Sequence, residues 1–137
     1  MTEDIKIVNT LHFGDMEVEP SHIFDFEGGM LGFEDLREFV LVSHEDYDPF
    51  KWLISIDNPD IGFPMLNPFF LDEGYKAGRD IDLENEVVFC VVTLGGVGEI
   101  MTANLKAPII MNISQNKGRQ IILTSDKYSP TYEIKIK

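Results

Sequence analysis

The chain has 137 residues, 44% of them hydrophobic and 26% charged, and a formal net charge of −13. That length can bury a core as one domain, and the composition excludes disordered, collagen-like and disulfide-rich classes. Apolar runs fall short of the ~20 residues of a membrane helix. The acidic start, "MTEDIKIVNT", lacks the basic and apolar regions of a signal peptide, and the single Cys90 cannot form an internal disulfide; a cytoplasmic protein is expected.

Taken in chain order, strand signals dominate. "IKIVNTLHF" and "MEVEP" flank Gly14-Asp15 and read as a first hairpin with alternating faces. "HIFDF" predicts a third strand, and the glycines of "EGGMLG" predict a turn. Phe33, Leu36 and Phe39 fall at helical spacing, so one helical turn is expected over 33–39. "FVLVSH" and "FKWLISI" read as strands. "DNPD" follows as a turn, because Asp and Asn side chains bond their own backbone and Pro presets φ. "IGFPML" returns antiparallel, and Pro64 places it at an edge or bulge. The stretch 67–86 is the least regular, a long excursion with a short acidic and partly helical element.

"VVFCVVTL" is a continuous β-branched run of the kind found in buried strands, and "GGVGE" closes it as a hairpin turn. "MTANL", "IIMNI" and "RQIILT" complete the set, with Asn116-Lys117-Gly118 as a hairpin tip. The result is all-β: an antiparallel, barrel-like domain of about nine short strands with one or two short helical turns, spanning 1–137. Within it, "MTANLKAPIIMN" divides at Ala107-Pro108, where proline removes a donor and restricts the residue before it. Asn104 and Asn112 are placed to satisfy backbone groups at the break.

Charge is unevenly spread. Residues 1–99 hold 22 acidic and 5 basic side chains, a net of −17, while residues 100–137 hold 2 and 6, a net of +4. Such acidity argues against direct contact with nucleic acid phosphates and suits a basic protein partner. Catalytic patterns are sparse. His12, His22 and His44 share no ligand spacing with Cys90, which sits in a buried-type strand. "GGVGE" lacks the Gly-Lys-Ser/Thr of a phosphate loop, and Asn112-Ile-Ser114 matches a glycosylation sequon without a secretory context. No metal or cofactor is expected.

Four landmarks, in order, resemble the FliW family of flagellar assembly factors: "FEGGMLGFEDLREFVLV", "FKWLISIDNPDIGFPMLNPF", "MTANLKAPIIMN" and "NKGRQIIL". The chain departs at Glu27 and Leu31, where the family often has proline, and in its "KYSPTYEIKIK" tail, which lacks a histidine the family often carries. The resemblance implies a β-barrel-like, non-enzymatic protein that binds cytoplasmic flagellin. When free of flagellin it binds the translational regulator CsrA and relieves repression of flagellin mRNA. The competing class is a small β-barrel enzyme or ligand-binding protein, which would need a polar cluster inside the barrel. Candidate partner contacts are Phe33, Glu34 and Asp35 after the glycine turn; Asp57, Asn58 and Phe69 at turn or post-proline positions; and Asn104, Lys106 and Pro108.

Overall fold

Period-two alternation carries apolar side chains to one face and polar ones to the other, and the chain folds accordingly. The structure is a computed structural model that describes residues 6–11, 13–43, 45–76, 81–82, 84–95 and 100–134. Within them lie β1 (Lys6–Thr10), β2 (Gly14–Val18), β3 (Ile23–Phe26), β4 (Glu38–Ser43), β5 (Lys51–Ser55) and β6 (Gly62–Leu66). They continue with β7 (Glu86–Thr93), β8 (Thr102–Ala103), β9 (Ile109–Asn112), β10 (Lys117–Gln120) and β11 (Tyr132–Glu133). Isolated 3-10 turns occur at Pro20–His22, Glu45–Tyr47 and Pro68–Phe70.

Seven strands close into a barrel in the order β3-β4-β5-β6-β7-β9-β10, returning to β3. Every junction is antiparallel except β10 to β3, which is parallel and pairs Lys117 with Asp25 and Gly118 with Phe26. β7 has alternating burial along its eight residues and serves three neighbours. It pairs with β6 on one side, and with β9 and then β8 on the other. β11 extends the sheet beyond β8.

Closure creates three apolar layers. Inside the barrel, Phe24, Phe26, Phe39, Leu53, Met65, Ile109 and Met111 are buried together. Outside one wall, Leu66, Val88, Cys90 and Val92 pack under Tyr75, Leu105 and Tyr128. Outside the opposite wall, Val40 and Ile54 are covered by Val8 and Val18 of the β1–β2 hairpin. Adjacent residues such as Leu53 and Ile54 feed different layers, as the pleat requires.

Several expectations change in detail. Among the described residues eleven strands replace about nine: "MTANL" keeps two paired residues as β8, and β11, outside every expected segment, is held by its pairing with β8. No helix forms over 33–39. Gly29 and Gly32 adopt positive φ, Met30 and Phe33 pair as a bridge, and a single hydrogen bond from Leu36 N–H to Phe33 C=O is all that remains of a turn. β6 is not an edge strand: Pro64 pairs with Trp52, and the β6–β7 ladder starts one residue later, at Met65. The first hairpin pairs Thr10 with Gly14, so Gly14 opens β2 instead of forming the tip.

The β9–β10 loop is 113–116, with Asn116 at φ 54, and Lys117 and Gly118 belong to β10. Gly118 is needed for space: a Cβ there would lie 2.3 Å from the Phe26 ring. The "DNPD" turn forms as expected, with Ser55 Oγ accepting from Asn58 N–H and Ile61 N–H closing onto Asn58 C=O. Of "GGVGE", residues 96–99 lie outside the described residues, as do His12 and His44.

Candidate protein-interaction surface

The loop from β3 to β4 is built on its glycines. Gly29, at φ +68, packs against the Glu34 backbone so tightly that a Cβ would sit 2.6 Å from it. This contact holds the "GFEDL" segment outward. Glu34 and Asp35 are exposed, and Phe33 is 38% exposed with its ring edge-on to Phe63 at 5.3 Å. Leu31, also exposed, is pinned by its N–H to the Gln120 side chain.

Asp57 then ties this loop to the "DNPD" turn. Its Oδ2 accepts from the Arg37 and Glu38 N–H groups at 2.8 and 3.0 Å. Asn58 Oδ1 accepts from Asp60 N–H. Phe33, Glu34, Asp35, Asp57 and Asn58 therefore belong to one connected region of aromatic and acidic side chains.

Phe69 lies elsewhere. Asn67 Oδ1 caps Phe69 N–H, and Pro68 opens the 3-10 turn. That turn leaves Phe69 42% and Phe70 69% exposed. Both border a cleft of about 650 Å³ that Asp48, Lys51, Val87 and Phe89 also line. Glu86, also on the lining, is buried and bonded at 2.6 Å to Arg119, with Asp82 N–H on its other oxygen. The Arg119 hydrogen bond, followed by the Asp82 N–H, holds the Glu86 carboxyl below its usual range. Phe70 was not singled out from sequence, where nothing separates it from its neighbour Phe69; the turn leaves it the more exposed of the two.

Asn104, Lys106 and Pro108 are fastened into the framework. Asn104 Oδ1 accepts from Lys106 and Ala107 N–H, as expected for an amide at a strand break. Asn112 Oδ1 does the same for Ser114 and Gln115. Lys106 Nζ donates to Ser125 C=O, and buried Pro108 accepts from Ile121 N–H. Gln120, which holds Leu31 N–H in the β3–β4 loop, also donates to Ala107 C=O between Lys106 and Pro108.

For chemistry, Cys90 is fully buried, and burial pushes its thiol up to about 12. Desolvation likewise raises the Tyr75 phenol, which donates to Leu105 C=O at 2.6 Å. Among the described residues no group of three or more His, Cys, Asp or Glu side chains gathers to hold a metal. No helix among them is long and apolar enough to cross a membrane.

These features define a small barrel protein with an apolar filled interior, whose accessible features are acidic loops and an apolar cleft on the outside. The FliW protein family model matches residues 6–134. Flagellar assembly factor FliW of Caldanaerobacter subterraneus subsp. tengcongensis is 43% identical over 131 residues, covering 88% of this chain and 87% of that protein. The same factor from Thermoanaerobacter pseudethanolicus is 41% identical with the same coverage. A crystal structure of the flagellar assembly factor FliW superposes with a TM-score of 0.86 at 28% identity, covering 96% of this chain and 99% of the other. The chain belongs to the FliW family of flagellar assembly factors.

Proposed function

We propose that this chain binds cytoplasmic flagellin and, when free of it, binds the RNA-binding translational regulator CsrA and antagonises its repression of flagellin mRNA translation. The observation that supports this most is the exposed aromatic and acidic region around Phe33, Glu34 and Asp35, set in a stretch of the chain with a net charge of −17. A protein that grips RNA must carry basic surface, and this region complements it. The same charge opposes direct binding of nucleic acid by the chain itself. Two partners of ordinary interface size, roughly 800 Å² each, compete for a domain with 8689 Å² of surface. Occupation by flagellin then withholds the chain from the regulator until flagellin is secreted.

The filled apolar interior weighs against a ligand or catalytic site inside the barrel. Titration calorimetry with purified regulator and flagellin at two ionic strengths tests the proposal. Binding to both is expected, and affinity for the regulator should fall as salt rises. Reversing Glu34 and Asp35 to lysine should weaken regulator binding about tenfold at low salt with the fold intact. Unchanged affinity would remove these residues from the interface, and no heat with either partner would refute the function.

A further inference from the structure

β6 and β7 part early. Their ladder holds two pairs, Met65 with Val91 and Leu66 with Cys90. The chain then leaves into the Pro68–Phe70 turn, while residues 86–89 of β7 stay paired with β9 on the other side only. Register gives the direction of the backbone groups. Ile113 N–H bonds to Asn85 C=O on the β9 side, and Asn104 N–H bonds to Val91 C=O on the β8 side. Hydrogen-bonded pairs alternate along an antiparallel ladder, so odd-numbered residues of β7 address β9 and β8. Even-numbered residues address the β6 side.

Glu86 N–H is taken by Asp82 C=O. Among the described residues Val88 has no such partner. Continuing β6 would set Pro68 opposite it, which has no N–H, and the Pro68 carbonyl already accepts from Leu71 and Asp72. The N–H and C=O of Val88 therefore face the seam without a partner among the described residues. The cleft agrees. Glu86, Val87, Val88 and Phe89 all border it, although neighbouring strand side chains point to opposite faces and that of Val88 is buried in the outer layer. At Val88 it is the strand edge that borders the cleft.

We propose that this seam receives one extended segment of a partner protein as an added strand. The segment exchanges two hydrogen bonds with Val88, seats an apolar side chain between Phe69 and Phe89, and carries a basic residue towards Asp48. An unpaired N–H and C=O on one residue select extended backbone as the occupant. Charge selects the basic residue. Asp48 lines the cleft with its side chain 58% exposed and Lys51 at 3.5 Å, while Glu86 is already matched by Arg119. The volume, about 650 Å³, is in the range of peptide and ligand sites. This proposal rests on the reading of the chain as a protein-binding module but on neither named partner.

The test is titration of the 15N-labelled full chain with the peptide acetyl-Lys-Val-Phe-Val-Lys-amide and with the same peptide N-methylated at its phenylalanine. Saturating shifts at the Val88 and Phe89 amides are expected with the first peptide, and at least tenfold weaker binding with the second. Asp48→Lys should weaken the first peptide several-fold. Absence of shifts at millimolar peptide, or equal binding of the two peptides, would overturn the proposal. Peptide binding without binding of flagellin or the regulator would leave the seam standing and remove the named partners.

Discussion

Gly118→Ala should destabilise the protein, although alanine is ordinarily the better strand residue. The added Cβ would lie 2.3 Å from two carbons of the Phe26 ring and 2.7 Å from a third. Carbon atoms prefer ~3.5–4.0 Å, so the ring must retreat by more than an ångström. It has nowhere to go: Phe26 is fully buried and rests edge-on against Phe39 at 5.0 Å between centroids. Overpacking of this kind costs about 1–3 kcal/mol, and relief of glycine's backbone freedom returns about 0.5–1 kcal/mol. Because the ring is hemmed in, the upper half of the first range applies, and the net loss is about 2 kcal/mol. For a chain of 137 residues that lowers Tm by roughly 6–10 °C. Urea unfolding of Gly118→Ala, Phe26→Leu and the double variant measures it. The double variant should be more stable than the sum of the single losses implies, by about 1 kcal/mol. A Gly118→Ala midpoint at or above that of the parent would refute the packing argument.

Arg119→Gln strands the buried Glu86 carboxylate and should cost about 1–3 kcal/mol at neutral pH. Because Glu86 titrates below its unfolded value, its contribution is present above pH ~4.3 and lost as pH falls through the folded value. Thermal melts should therefore show the variant's deficit shrinking towards pH 3, and a deficit independent of pH would contradict the assignment. Cys90, buried and with its thiol raised to about 12, should react with a thiol-specific disulfide reagent at pH 8 only as the protein unfolds. Stabilising conditions should slow labelling in proportion, and rapid labelling of the native chain would contradict the burial.

The β-rich plan was legible because its main signals are local. The apolar run of β7, the alternation of "HIFDF" and the self-capping "DNPD" turn each act within a few residues. What was hidden depends on distant partners. Gly118 looks like a turn glycine until Phe26, on another strand, is set against it. The helical spacing of Phe33, Leu36 and Phe39 is real, but Gly29 and Gly32 impose a bridged loop, and Phe39 goes to the barrel interior as part of β4. Pro64 reads as an edge residue, yet its effect is to delay β6–β7 pairing by one position. The candidate surface was half visible. Exposed acids and a post-glycine aromatic can be found by eye. The cleft beside Phe70 arises from where β6 departs, which no single segment records.

The parallel β3–β10 junction has a consequence for synthesis. From β3 to β6 the chain is a meander of neighbours, which pair as they emerge in order. The free side of β3, however, waits for Lys117 and Gly118. Until residues 117–120 have been made, the nascent sheet stays open, with one side of β3 and one side of β9 both unsealed. The last strand of the barrel acts as a clasp, and a ribosome that stops before residue 117 leaves an edge ready to pair with another chain.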